Sequence, residues 1–221
     1  MSFDLFDAVH AVGLPAPRGV LQVGASYGQE FEHFLAKGVN CGVFVEPLPE
    51  PYQHLAAKCQ QRPGMVAFNA LCSDVAGEKH RFHVASNGGM SSSILAPKGH
   101  LQVFDHVKFE QTIELTSTTV DDILVFLGQN GQAEVTQRLD TLYMDVQGAE
   151  FKVLLGAGRT LKHIKYIHTE LIRSDLYEGM MPLTSYIALL DAQGFVLNKL
   201  DYNAQHHADA LFVRKGLLGL K

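Results

Sequence analysis

Cysteine is scarce in this chain of 221 residues: Cys41, Cys59 and Cys72 are the whole complement. An odd number without paired metal-type spacing excludes a disulfide framework and offers no zinc set. The expected compartment is reducing, hence cytoplasmic. Long apolar runs are also missing. No stretch reaches about 18 apolar residues, so neither a transmembrane helix nor membrane insertion is expected. The first residues carry Asp4, Asp7 and His10 where a secretory signal needs a basic start and an apolar run. Positive charge is not in excess either. Lys and Arg number 18 against 23 Asp and Glu, for a net charge of −5, and they form no long run. The electrostatic footprint of a nucleic-acid binder is therefore lacking, and no nucleic-acid partner is expected.

What is present is ordinary for a globular protein, with 47% hydrophobic and 19% charged residues. This length suits one domain over residues 1–221, with 1–18 as an N-terminal helix or extension. Short apolar runs alternate with amphipathic stretches, which is a βαβ pattern. Strands are expected at Gly19–Val23, Cys41–Val45 and Met65–Ala70, with helices at Gln29–Ala36 and Pro49–Cys59 between them. Further on, Lys79–Ala85 and Phe109–Ser117 read as strands and Thr119–Gly128 as a helix. Asn87-Gly-Gly89 and Ser91-Ser-Ser93 mark Ser86–Gly99 as a long mobile loop, a candidate lid. The alternation then resumes with strands at Thr141–Met144 and Ile164–His168 and helices at Ala149–Leu155 and Leu183–Gln193.

Two more strands, Phe195–Leu200 and Ala210–Arg214, come next without a helix between them. A parallel crossover needs about a dozen residues or more, so this pair must form an antiparallel hairpin. The predicted fold is thus α/β and doubly wound. Its sheet is seven-stranded and mostly parallel, with a C-terminal antiparallel hairpin at one edge.

The sharpest local signal is Val23-Gly-Ala-Ser-Tyr-Gly28, a glycine turn between a buried strand and a helix. In such sheets ligands lie at the carboxyl ends of strands. Dinucleotide sites use G-x-G-x-x-G, whose middle glycine lets the backbone approach a pyrophosphate. Here that position is Ser26 and the third glycine position is Gln29, so a cofactor without phosphate fits better. Glu46 ends the second strand about 20 residues on, where an acid holds a ribose diol. A carboxylate suits that task because it only accepts, while the diol donates twice.

Leu21-Gln-Val-Gly-Ala-Ser-Tyr-Gly28, Phe44-Val-Glu-Pro-Leu48 and Met144-Asp-Val-Gln-Gly-Ala-Glu150 together resemble the FkbM family of methyltransferases. The resemblance runs from about Gly19 to Phe212. It implies a class I, Rossmann-like fold, S-adenosyl-L-methionine as methyl donor, and O-methylation of a hydroxyl on a sugar, glycan or natural product. It places Gly24, Ala25, Ser26, Tyr27 and Gly28 at the methionine part, and Glu46 with Pro47 at the ribose. Ser73 and Asp74 are placed near the adenine, and Asp145 with Val146 near the sulfonium. Two departures stand out: the family's usual aspartate before Val-Gly is Gln22, and its usual glutamate after Asp-Val is Gln147.

Methyl transfer to a hydroxyl requires alignment, exclusion of water and removal of a proton. Asp145, His168 and Glu170 are the candidate catalytic groups, all near carboxyl ends of neighbouring strands. Their structural alternatives are a helix cap for Asp145, a core histidine for His168, and a salt bridge to Arg173 for Glu170. The same trio could instead hold a divalent metal, although the spacing is not diagnostic and no metal is assigned. Two other functions compete. One is a nicotinamide-dependent oxidoreductase, disfavoured by Ser26, Gln29 and the terminal hairpin. The other is a degenerate methyltransferase fold acting only as a binding module, which Gln22 and Gln147 would permit. A homo-oligomer is compatible with the sequence, and the methyl acceptor is not encoded in any motif.

Overall fold

The computed structural model describes residues 3–172, 175–202 and 206–220. Helix α1 (Leu5–Ala11) precedes β1 (Gly19–Val23), α2 (Phe31–Ala36), β2 (Cys41–Glu46), α3 (Pro49–Gln60) and β3 (Met65–Asn69). The middle of the chain supplies β4 (Leu71–Cys72), β5 (Lys79–Val84), α4 (His100–Val103), β6 (Gln111–Thr118), α5 (Val120–Leu127) and α6 (Ala133–Gln137). The last part gives β7 (Thr141–Met144), α7 (Glu150–Leu155), β8 (Tyr166–Ile172), α8 (Leu183–Ala192), β9 (Phe195–Asp201) and β10 (His207–Arg214).

Seven strands form one sheet in the order β3-β2-β1-β7-β8-β10-β9. All neighbours are parallel except β10, which runs antiparallel to both β8 and β9. The terminal hairpin expected from the missing crossover is therefore real. Its second strand inserts beside β8, which leaves β9 at the edge.

The central strands are buried on both faces, as parallel strands between helical layers must be. Leu21, Val23, Val43, Val45, Leu142 and Met144 pack with Val120, Ile123, Leu154 and Leu190 on the α5, α7 and α8 side. Val20, Phe44 and Tyr166 pack with Phe6, Phe31, Phe34 and Leu55 on the α1, α2 and α3 side. Each such side chain contributes roughly 1.5–3 kcal/mol by leaving water, which fixes the strand register and so the positions of the residues at the strand ends. Thr119 caps α5 as its sequence position suggests, accepting from Asp122 N at 3.1 Å.

Three features depart from the expectations. The strand predicted to stop at His168 runs on to Ile172, because β10 pairs with it along its whole length. Glu170 consequently sits within β8, opposite Asp209. The middle strands also form a second sheet, β4-β6-β5, beside the main one. The Ser86–Gly99 loop is not loose. His83 and Ser93 form an antiparallel bridge, and Ser92 Oγ accepts from Ala85 N at 2.9 Å. Among the described residues no helix is long and apolar enough to cross a membrane.

Candidate active site

The chain turns sharply after β1. Gly24 N and Ala25 N both donate to Val45 O at 3.0 Å. Gly24 adopts φ +81°, and a Cβ there would lie 1.8 Å from Asp145 O. The tips of β1, β2 and β7 thus meet at one point, and a cavity of about 290 Å³ opens above it. Ser26 at φ +46° and Gln147 at φ +54° are the only described non-glycine residues in the left-handed region. Both line this cavity. Backbone strain of this kind persists only where surrounding structure enforces it, and it clusters at functional sites.

The floor is Val23, Gly24 and Ser26, with Glu46, Pro47, Asp145, Val146 and Gln147 around it. The roof comes from the second sheet and the serine-rich loop, through Leu71, Phe82, Met90, Ser92 and Ile94. Three lining residues are acids, Glu30, Glu46 and Asp145, and none of the described lining residues is Lys, Arg or His. Cys72 also lines the wall, but burial pushes its thiol up to about 12, so it is no nucleophile at neutral pH.

Glu46 is only 5% exposed. Its Oε2 accepts from Ser26 N and its Oε1 from Leu48 N, both at 2.8 Å. Burial pushes the carboxyl up to about 7 against these two hydrogen bonds. A carboxylate offers about four acceptor sites, so roughly two remain for a ligand diol. Glu46, 22 positions after Gly24, therefore both shapes the glycine turn and faces the cavity.

Asp145 stands at the end of β7. Gln147 Nε2 donates to Asp145 Oδ1 at 2.7 Å and to Glu170 Oε2 at 3.2 Å. Behind Glu170, His207 Nδ1 lies 3.2 Å from Oε1. Burial, then the charge of Glu170, holds the Asp145 carboxyl well above the ordinary range. His207 is raised, chiefly by the Glu170 carboxylate beside it. Glu150 closes the segment by accepting from Val146 N and Gly148 N at 3.0 and 3.2 Å, and its burial pushes it up to about 7.

Both departures from the family pattern place an amide on an acid. Gln147 is one; Gln22 is the other, donating through Nε2 to Glu30 Oε2 at 2.9 Å.

Other expected site residues lie elsewhere. His168 is below Glu170 on the same strand face, stacked on Tyr143 at 4.4 Å with Phe3 edge-on. Burial drives it down to about 4, so it is a neutral core histidine outside the cavity. Among the described residues no group of three His, Cys, Asp or Glu is placed to hold a metal, so the Asp145, His168 and Glu170 trio is not a ligand set. Glu170 reaches the site only through Gln147, and its alternative partner Arg173 lies outside the described residues. Ser73 and Asp74 do not line the cavity; Ser73 Oγ donates to Asp74, which also pairs with Lys152. Ala25, Tyr27 and Gly28 shape the turn from behind, where Lys58 Nζ donates to the carbonyls of Tyr27 and Gly28.

The sequence marked the Ser86–Gly99 loop, which supplies Met90, Ser92 and Ile94 to the roof, but not Glu30 or the second-sheet residues Leu71 and Phe82. Glu30 had no strand-end position to mark it, and the roof residues reach the cavity through long-range pairing. A larger basin of about 880 Å³ sits at the opposite, amino-terminal end of β1 and β7. Three of its cations, Arg138, Arg159 and Lys165, already pair with Glu134, Asp121 and Asp140, and it is remote from the strand ends where ligands bind in such sheets.

The strand order, the reversed β10 and the phosphate-poor glycine turn above β1 define a class I, Rossmann-like methyltransferase fold. The methyltransferase FkbM domain matches residues 22–197, and the chain belongs to that family of methyltransferases. It is 31% identical over 181 residues to the 2-O-methyltransferase NoeI of Sinorhizobium fredii, covering 77% of this chain and 70% of that protein. It resembles the solved FkbM methyltransferase of Methylobacillus flagellatus KT, with TM-score 0.52 and 13% identity over 89% of this chain and 43% of that one. The magnesium protoporphyrin IX methyltransferase of Synechocystis PCC 6803, solved with S-adenosylmethionine bound, gives 0.51 and 9% over 94% and 74%. At these identities the structural likeness is one of fold. Family membership implies S-adenosylmethionine as the methyl donor.

Proposed function

We propose that this enzyme transfers a methyl group from S-adenosylmethionine, bound in the cavity above β1, to a hydroxyl of a sugar or small natural product. The observation that carries the cofactor assignment is the acidity of the cavity: three acidic side chains face it, and among the described lining residues no cation answers them, so a cationic ligand is what favours ionisation of Glu46 and Asp145, both raised by burial. S-adenosylmethionine supplies a methyl on a positively charged sulfur, has an ammonium group, and carries no phosphate. A pyrophosphate would be repelled by the same acids. The acceptor class is supported by the likeness to NoeI, a 2-O-methyltransferase.

In this reading Glu46 accepts from the ribose hydroxyls, and the Gly24–Ser26 turn carries the methionine part. Phe82, Leu71 and Cys72, rather than Ser73 and Asp74, border the base. Asp145 accepts the acceptor's hydroxyl proton through Oδ2, since Oδ1 is occupied by Gln147. Calorimetry should show S-adenosylmethionine binding more tightly than NAD, and labelled methyl should pass to members of a glycoside panel. Tighter binding of NAD, or no transfer to any hydroxyl acceptor, would overturn the proposal.

Glu46 gives a pH signature. Its carboxyl is raised to about 7, and only the ionised form accepts from both ribose hydroxyls. Protonation grows as pH falls through that value, so affinity should weaken on the acid side, approaching about tenfold per pH unit. Glu46→Gln should flatten this dependence. It should also lower affinity at pH 8 by about tenfold or more, because an amide faces one of the two backbone N–H groups with a donor. An unchanged pH profile in Glu46→Gln would remove Glu46 from the cofactor site.

A further inference from the structure

Two carboxylates, Asp145 and Glu170, approach one another at the edge of the cavity, and among the described residues no Lys or Arg side chain is shown bonded to either. Like charges so placed repel, and in a buried site the repulsion is weakly screened. What stands between them is one amide group. Its nitrogen carries two hydrogens, and the two observed acceptors, Asp145 Oδ1 and Glu170 Oε2, use both.

Gln147 is held at both its side chain and its backbone. The two carboxylates fix which end of the amide is nitrogen, and the other end, Oε1, lies 3.2 Å from Tyr177 OH, whose single hydrogen is shared with Ser91 O at 2.8 Å. Ser93 Oγ donates to Gln147 O at 2.9 Å, so the serine-rich loop pins the backbone. That backbone stays at φ +54°, a conformation few side-chain-bearing residues adopt without enforcement.

We propose that Gln147 is a positioning residue for methyl transfer: its amide ties Asp145 to Glu170 and holds the second oxygen of Asp145 toward the methyl and the incoming hydroxyl. The inference rests on the reading of Asp145 as the proton acceptor. In that step the acceptor oxygen forms its bond to the methyl carbon, and the carbon–sulfur bond breaks with its electron pair staying on sulfur. The hydroxyl proton passes to Asp145 Oδ2 and later to water.

Gln147 serves this step in two ways. It stops the Asp145 carboxylate rotating, and its N–H favours the ionised form that takes the proton. Glu170 acts the opposite way, by charge, and His207 behind it moderates that charge. The other acids that face Asp145 are Glu150 on α7 and Glu30 before α2, and neither contacts Gln147 through its side chain.

The test needs no acceptor. S-adenosylmethionine and S-adenosylhomocysteine share the ribose and base and differ in the charge at sulfur. The ratio of their affinities, followed against pH by calorimetry, therefore reports the charge beside the sulfur, whereas titration of Glu46 largely cancels. The ratio should rise with pH as Asp145 ionises. Gln147→Met removes the donor at similar length and should move that rise to higher pH by about one unit. Glu170→Gln removes the neighbouring charge and should move it to lower pH. A purely structural role would change both affinities together and leave the midpoint in place.

Asp145→Asn separates the two ideas. If it fails to flatten the ratio, Asp145 does not face the sulfur and the underlying reading falls. If it flattens the ratio while Gln147→Met leaves the midpoint unmoved, the role of Gln147 is overturned. Should Gln147→Met not fold, Gln147→Asn, whose amide is too short to reach both acids, should move the midpoint upward in the same way, and an unmoved midpoint there overturns the role of Gln147.

Discussion

Asp145→Asn is expected to lower kcat by about a hundred- to ten-thousandfold, the range found when a positioned proton acceptor is removed. The substitution keeps the shape of the side chain, and the amide oxygen can still accept from Gln147 Nε2. What it loses is the ability to take a proton and the negative charge beside the sulfonium. Affinity for S-adenosylmethionine should therefore fall much less than the rate, by about tenfold at most, since Glu30 and Glu46 still face the ligand. Stability should move the other way. Asp145 is crowded by Glu170, Glu150 and Glu30, so neutralising it relieves repulsion in the folded protein, and the melting temperature should hold or rise. Residues kept for function at some cost to stability behave like this. A variant that retains the wild-type rate with a sugar acceptor would show that the proton leaves by another route.

The position of Asp145 was legible because it depends on local pattern. Thr141-Leu-Tyr-Met144 is a short apolar run in a parallel sheet, and the residue after such a run lies at the binding edge. The same logic reached Gly24 and Glu46, whose register is set by the pairing of Val23 with Val45 and Glu46 with Asn69. It also gave the terminal hairpin, since too few residues separate β9 from β10 for a crossover. The logic weakened wherever a side chain acts through a distant partner. His168 and Glu170 share a strand face, yet one is sealed beneath Phe3 while the other meets Gln147, and nothing within β8 distinguishes them. Ser92 and Met90 lie at the cavity in a loop tied to the second sheet by the His83–Ser93 bridge and the bond from Ala85 N to Ser92 Oγ. Glycines and serines in that loop read as freedom, whereas Ser93 Oγ in fact donates to Gln147 O and accepts from Leu95 N.

Gly24→Ala carries the largest expected effect on the fold. Glycine is required here for two separable reasons. The residue sits at φ +81°, where a Cβ costs about 1–2 kcal/mol. The added carbon would also lie 1.8 Å from Asp145 O and 2.8 Å from its carbonyl carbon, both backbone atoms. Backbone cannot swing aside as a flexible side chain can, so either β1 or the Asp145 peptide must move. If the peptide moves, Asp145 N loses its bond to Val23 O and the link between β1 and β7 opens at the cofactor edge. A loss of about 4 kcal/mol or more in unfolding free energy is expected, at the upper end for a single substitution, together with loss of S-adenosylmethionine binding. Gly131→Ala is the matched control. It has a similar φ of +86° but nothing within 4 Å of its added carbon, so it should show the backbone cost alone, about 1–2 kcal/mol. Urea unfolding of both variants measures the difference directly. Equal losses would mean that the tips of β1 and β7 do not meet at Gly24, and the cavity built on that contact would have to be redrawn.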